Sequence, residues 1–221
     1  MRLKLAIFDC DGTLVDSRAA ILSTMDAAFA ALGLAAPDHG LVRQIIGLSL
    51  DHAIAVLAPD HPPNTQIALV ESYKRAAIVT SLNPISAERT FDGIDTVLDE
   101  LESAGVLLAV ATGRGRRALD ESLAGPPLAG RFVATVSADD AASKPAPDMA
   151  LKALRLTGVE AADAVVIGDT EYDIAMARHA GIAAIGVAWG HHPAERLLDA
   201  GAAIVVERPA DLTGTVLGLL G

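Results

Sequence analysis

The sequence predicts an α/β protein: a doubly wound, Rossmann-like parallel sheet with a small all-helical unit inserted after its first strand. Three features predict it. Short β-rich runs fall at 3–8, 106–111, 132–136, 164–167, 183–187 and 203–206, and they are nearly continuous in apolar residues rather than alternating, as strands covered on both faces are. Helical stretches at 116–123, 147–156, 172–180 and 193–200 separate the later runs, so strand and helix take turns as in βαβ units. The interval from Phe8 to Val106 breaks that rhythm, holding almost a hundred residues where a βαβ unit takes about 30.

Taken in order, the first run ends at Asp9 and Asp11, too soon for a secretory signal segment. The insert then reads as four helices, near 19–32, 41–46, 50–57 and 67–78, broken at Gly33, Pro37, Gly47, Pro59 and Pro62-Pro63. This places the helical unit at 15–82 and the α/β core at 1–14 and 83–221. Hinges are expected at Val15-Asp16-Ser17 and at Ser81-Asn83-Pro84, with Asp92 opening a return helix toward Leu101.

Composition narrows the function. The 221 residues carry 17 basic and 28 acidic side chains, a formal charge of −11, with 52% apolar content, which excludes a disordered chain and argues against a nucleic-acid partner. Four Phe, two Tyr and one Trp are too few for a base-stacking surface. Cys10 stands alone, so no disulfide framework exists and a reducing compartment is expected. The later apolar runs are far shorter than the ~20 residues that span a bilayer, so a soluble, cytoplasmic protein with no membrane partner is expected. An anionic substrate of such a chain must be met by local positive charge or by a metal.

Four strand ends carry groups suited to that task. Asp9-Cys10-Asp11-Gly12-Thr13 follows the first run; residues two apart begin on one face of a strand, and Gly12 permits a sharp turn that keeps both carboxylates at the sheet's edge. Two acids so close repel unless a proton or a cation is shared, and oxygen ligands favour Mg²⁺. Thr112-Gly113-Arg114 offers a hydroxyl and a backbone N–H where a helix begins, suited to an oxyanion. Ser143-Lys144-Pro145 supplies a point charge, and Gly168-Asp169 is followed at i+4 by Asp173. Singly, each has a plain explanation as a helix cap, a first-turn charge or a solvated loop residue; together they mark the ends of four strands. In the insert, the turn around Arg43, Gly47, Leu48, Ser49 and His52 is the candidate for substrate contact, with Ser49 equally readable as a helix cap. His191-His192 reads as a loop beside the site, without a third metal ligand.

The order Asp-x-Asp-Gly-Thr, Thr-Gly-Arg, Lys-Pro and Gly-Asp-Thr-x-x-Asp resembles the haloacid dehalogenase superfamily of aspartate-nucleophile phosphohydrolases. The insert after the first strand is similar to the phosphoglycolate phosphatase and β-phosphoglucomutase branch. The resemblance implies Asp9 as nucleophile and Asp11 as general acid and base. It implies Mg²⁺ held by Asp9, Asp169 and the backbone carbonyl of Asp11, with phosphate held by Thr112, Lys144 and the N–H groups of Gly12 and Gly113. Asp173 would orient metal-bound water or brace Lys144. Arg114 departs from relatives that place Asn and then Lys after the threonine, and phosphate contact and a surface helix charge both stay open for it. Dehalogenases resemble Asp-x-Tyr at the first motif, so Asp11 points to phosphoryl transfer on a small phosphorylated metabolite, with phosphoglycolate first to be considered. A phosphosugar mutase is the alternative. Gly113 to Ala118 also matches G-x-G-x-x-A, a dinucleotide reading that leaves Asp9, Asp11 and Asp169 unexplained.

Overall fold

A computed structural model of the protein describes residues 2–81 and 88–221. Among these, six strands form one parallel sheet: β1 (Lys4–Phe8), β4 (Val106–Ala111), β5 (Ala134–Val136), β6 (Ala164–Gly168), β7 (Ala183–Val187) and β8 (Ile204–Val206). Their order is β5-β4-β1-β6-β7-β8. The chain therefore winds outward from β1 in one direction and then, from β6, in the other. That reversal leaves a crevice at the carboxyl ends of β1, β4 and β6, the place where open α/β sheets bind ligands.

The apolar runs behave as strands because both faces are covered. Ala6, Phe8, Val165, Ile167, Ile185 and Val187 pack against α5 (Ile94–Ser103) and α10 (Leu212–Leu220) on one face. Leu5, Ile7, Ala109, Val166 and Ala184 alternate with them and face α7 (Asp148–Thr157), α8 (Glu171–His179) and α9 (Ala194–Ala200). The remaining core helix is α6 (Arg116–Leu123).

The insert is helical as the sequence predicts: α1 (Arg18–Ala30), α2 (His39–Ile45), α3 (Leu50–Leu57) and α4 (Pro63–Ser81). These helices share an apolar cluster of their own, built from Met25, Phe29, Val42, Ile54, Leu69 and Val70. Two details differ from expectation. Val15-Asp16-Ser17 is not a bare hinge, because β2 (Val15–Asp16) pairs antiparallel with β3 (Arg89–Thr90), and Phe91 N–H adds a bond to the Leu14 carbonyl at 3.1 Å. The return helix starts at Ile94 rather than Asp92, since Gly93, at φ 89°, turns the chain left-handed just before it. The other hinge, at Asn83-Pro84, lies outside the described residues. Among the described residues no helix is long and apolar enough to cross a membrane.

Candidate active site

The carboxyl ends of the central strands bring the four sequence motifs together. Asp9 follows β1 directly, and its N–H still pairs with the Ile167 carbonyl of β6 at 2.8 Å, so its side chain starts from the rigid sheet. The chain then curls tightly: the Cys10 carbonyl accepts from the Leu14 and Val15 N–H groups, both at 3.0 Å. Gly12 makes this curl possible at φ 83°, and a side chain there would run into Asp169 Oδ2 and the His191 ring. The Gly12 N–H, expected to face a phosphate, donates instead to the Val15 carbonyl at 2.8 Å. The closure of the curl takes that donor, so Gly12 contributes conformation and close approach.

Lys144 reaches the crevice from the loop after β5. Its fully buried ammonium donates to Asp9 Oδ1 and to Asp173 Oδ1, each at 2.5 Å. Asp173 in turn accepts from the Thr170 hydroxyl at 2.6 Å and the Thr170 N–H at 3.1 Å through Oδ2, closing a capping box at the start of α8. Of the two roles implied for Asp173, the geometry displays the bracing of Lys144. Burial would lower the Lys144 value, but Asp173 and Asp9 carry it above the ordinary lysine range, so the ammonium stays charged.

Asp169, buried at the end of β6, accepts from the Thr13 hydroxyl at Oδ1 (2.9 Å). Its Oδ2 accepts from the His191 N–H (2.8 Å) and lies 2.7 Å from His191 Nδ1. Asp9, Asp169 and Asp173 offer carboxylate oxygens that all lie within 4.8 Å of one another. Asp9 Oδ2 is buried without any hydrogen-bond partner. Burial pushes the Asp9 carboxyl well above the usual range; Lys144 opposes the shift, while Asp173, Asp169 and Asp11 add to it.

These observations fit a metal. Three buried carboxyl groups stand against one ammonium, a crowding of acids that a divalent cation would relieve in place of a shared proton. The donors are oxygens, which suit a hard cation, and the bare Asp9 oxygen is a ligand without another partner.

The Asp11 side chain stands outside this group. Arg114 Nε donates to its Oδ2 (2.7 Å) and Nη2 to its Oδ1 (2.5 Å). Burial alone would raise the Asp11 carboxyl, and the Arg114 charge and hydrogen bonds more than reverse this, leaving it below the usual value. Arg114 is therefore neither of the two things left open for it: it is not a surface charge, and its guanidinium is spent on protein carboxylates rather than held free for a phosphate. Thr112 is fully buried beside it and accepts from the Arg114 N–H at 3.2 Å.

The turn between α2 and α3 sits on this crevice. A side chain at Gly113 would meet the Leu48 carbonyl at 2.5 Å and the Gly47 carbonyl at 2.7 Å, and one at Gly47 would meet Thr170 Oγ1 at 2.9 Å. Ser49 N–H donates to Ser143 Oγ at 2.8 Å, next to Lys144, while its hydroxyl is shared with His52 Nδ1. Tyr172 Oη donates to the Gln44 carbonyl at 3.1 Å. Ser49 is thus at the site and Arg43 is not: Arg43 stays exposed on α2, whose neighbouring backbone makes the contact instead. Sequence reasoning missed the grip of His191 on Asp169 and the Arg114–Asp11 pair. The one available signal for His191 was its place just past the end of β7, which becomes informative only once β7 is known to lie beside β6.

A family model described as haloacid dehalogenase-like hydrolase matches residues 6–187. Probable phosphatase IndB of Dickeya dadantii (strain 3937) is 34% identical over 218 residues, covering 98% of this chain and 94% of that protein. N-acetylmuramic acid 6-phosphate phosphatase of Pseudomonas aeruginosa is 30% identical over 226 residues, covering 96% and 94%. Phosphoglycolate phosphatase of Xylella fastidiosa (strain 9a5c) is 31% identical over 195 residues, covering 86% and 82%. Among solved structures, that of a predicted phosphatase from Clostridium acetobutylicum superimposes with a TM-score of 0.87 at 25% identity, covering 99% of this chain and all of that one. With the motif order, the fold and the match agreeing over most of its length, the chain belongs to the haloacid dehalogenase-like hydrolase family and is a phosphatase of that family.

Proposed function

We propose that the protein is a Mg²⁺-dependent phosphatase of small phosphorylated metabolites that works through an aspartyl phosphate on Asp9. The observation that carries this reading is the Asp9 carboxylate itself: one oxygen is held by Lys144, and the other is buried and bare. Asp9 attacks phosphorus, the bond from phosphorus to the leaving oxygen breaks, and Asp11, once it has left its pair with Arg114 and taken up a proton, gives that proton to the oxygen. Water then attacks the aspartyl phosphate and gives its proton to Asp11. Inorganic phosphate leaves and the Asp9 carboxylate is restored.

Asp9, Asp169 and the Asp11 backbone carbonyl would hold Mg²⁺, which offsets the repulsion between a carboxylate and a phosphate dianion when bound. Lys144, Thr112 and the Gly113 N–H stabilise the equatorial oxygens, and Asp173 keeps Lys144 in place. Residues 15–82 act as a cap. The contacts of Gly47, Leu48 and Ser49 with Gly113, Thr170 and Ser143 support a lid that excludes water and meets the leaving group.

Phosphoglycolate heads the candidate substrates, with N-acetylmuramic acid 6-phosphate beside it, since relatives are named for both. Phosphate release from p-nitrophenyl phosphate and from a panel of small acid and sugar phosphates, with and without Mg²⁺, tests the reading. Release that needs the ion and disappears in Asp9→Asn is expected; release retained in Asp9→Asn would refute the nucleophile.

A further inference from the structure

The loop after β7 closes over Asp169 and is pinned from three directions. Trp189 Nε1 donates to the Thr13 carbonyl at 3.2 Å, Arg18 Nη2 donates to the Gly190 carbonyl at 2.6 Å, and the His192 N–H donates to the Asp169 carbonyl at 3.2 Å. His191 therefore enters the crevice from a fixed backbone, with its side chain buried. The two Asp169 oxygens are treated unequally. Oδ2 accepts from the His191 N–H at 2.8 Å and lies 2.7 Å from His191 Nδ1, whereas Oδ1 accepts from the Thr13 hydroxyl at 2.9 Å. A carboxylate oxygen has two acceptor positions, so among the described residues Oδ2 is filled and Oδ1 keeps one. Backbone presses on Oδ2 as well: a Cβ at Gly12 would stand 2.2 Å from it and one at Gly190 2.4 Å. The position that Asp169 leaves for an ion is on Oδ1.

The ring does more than fill space. Two lone pairs cannot face each other at 2.7 Å, so a proton lies between Nδ1 and Oδ2; Oδ2 already accepts from the backbone, and the proton belongs to Nδ1. Nε2 is buried without a partner, which leaves the bond to Asp169 as the ring's one hydrogen bond among the described residues. A buried nitrogen left unpaired is a cost that an apolar side chain of like size would avoid. We propose that His191 is the positioning residue for Asp169, holding its carboxylate at Oδ2 so that Oδ1 alone meets the divalent ion. The oxygens of Asp9, Asp169 and Asp173 lie within 4.8 Å of one another, and among the described residues no His191 nitrogen joins them, so His191 acts through Asp169 rather than as a ligand. This rests on the proposed Mg²⁺ site and adds the group that sets its geometry.

The consequence is a choice of ion. Mg²⁺ demands a near-octahedral shell of single oxygens, while Ca²⁺ accepts carboxylates through both oxygens and a looser shell. A carboxylate limited to one oxygen suits the first, and one free to turn loses that preference. The test measures Kd for Mg²⁺ and for Ca²⁺ by titration calorimetry on the metal-free full chain, in the wild type, His191→Leu and His191→Asn. Leucine and asparagine have nearly the same shape, but the asparagine amide carries an N–H close to where Nδ1–H stands. Loss of the partner that orients a metal ligand costs about 10–100-fold in affinity. His191→Leu should weaken Mg²⁺ by that factor and Ca²⁺ by about 3-fold or less, and His191→Asn should stay within about 3-fold of wild type for both ions. The ring proton is read separately, from the nitrogen-15 spectrum of the wild type, where Nδ1 should be protonated.

Wild-type Mg²⁺ affinity in His191→Leu, equal weakening of Mg²⁺ and Ca²⁺, or a His191→Asn protein that loses as much as His191→Leu would each overturn the proposal. If His191→Leu fails to fold, a wild-type ring without a proton on Nδ1 overturns it alone. A wild type that binds neither ion sinks the metal reading instead, so the two failures are distinguishable.

Discussion

Lys144 is the most informative residue to remove. Its ammonium is wholly buried between Asp9 and Asp173, 2.5 Å from one oxygen of each. Lys144→Met keeps most of the stem's volume and deletes the charge, which leaves two buried carboxylates facing each other without a cation. Breaking a buried pair by removing one partner costs about 3–5 kcal/mol. For a chain of 221 residues each kcal/mol moves Tm by about 2–4 °C, so a fall of about 6–20 °C is expected. Thermal unfolding in metal-free buffer reads this directly. Mg²⁺ should recover part of the loss, because a divalent ion held by Asp9 and Asp169 would neutralise one of the two anions that Lys144 separates. The double variant Lys144→Met/Asp173→Asn should be less unstable than the sum of its parts, by up to about 3 kcal/mol, since the second change removes one of the anions that the first strands. Turnover should fall by about 10²–10³-fold as an electrostatic donor at the reacting centre is lost. A Lys144→Met protein that melts within about 2 °C of wild type would refute the reasoning, because no buried anion pair would then have been left uncompensated.

Three other outcomes follow from the same geometry. Mg²⁺ at about 100 times its Kd should raise the wild-type Tm by about 5–10 °C, and Asp169→Asn should lose most of that rise; a full rise in the variant would remove Asp169 from the metal site. Gly113→Ala places a methyl group against the Leu48 carbonyl, so the turn over the crevice must shift. KM should rise by about 10-fold while Tm falls by no more than a few degrees, and unchanged kinetics would show that the seating of this turn does not matter. Asp140 is held below the usual carboxylate value: burial opposes this, but hydrogen bonds from Ser137, Arg116 and Lys152 outweigh it. A carboxyl depressed in the folded state stabilises above its unfolded value of about 3.9 and ceases to do so as pH falls. Asp140→Asn should therefore cost about 1–2 kcal/mol near pH 7, and the gap in Tm should close below pH 4; a gap constant with pH would mean that charge is not the source.

Much of the fold could be read because its signals are local. A strand covered on both faces needs several apolar residues in a row, and Leu5 to Phe8 and Val106 to Ala111 supply them. The four chemical motifs were legible for the same reason: each is a short stretch at a strand end, and parallel topology gathers strand ends. Features that rest on distant pairing were not legible. β2 and β3 are two residues each, too short for any period, and they exist only because the chain returns alongside itself. α10 contains Thr213, Gly214, Thr215 and Gly218, weak helix formers whose conformation comes from packing Leu212, Val216 and Leu220 on the sheet. The carboxylate partners of Arg114 lie 26 and 103 residues away, and no spacing rule connects them. The Gly12 N–H shows the reverse error, for a motif can name the residue while the curl it permits spends the donor elsewhere.

The two acids of the first motif are separated by one residue, yet the protein meets them with different cations. Lysine presents a compact point charge and arginine a planar fork. At Asp9 the ammonium takes Oδ1 and leaves Oδ2 without a partner, which a guanidinium fork would have covered. At Asp11 the guanidinium takes both oxygens, which an ammonium could not do in one plane. The nucleophile proposed for this site needs an unoccupied lone pair, and Asp9 Oδ2 keeps one, whereas Asp11 is held as a fully paired carboxylate below its usual value. The choice of Lys144 for one acid and Arg114 for the other therefore leaves a free oxygen at Asp9 and none at Asp11. It also ties the Thr-Gly-Arg turn to the first motif although its arginine is spent on protein carboxylates, because the guanidinium grips the acid two residues beyond Asp9.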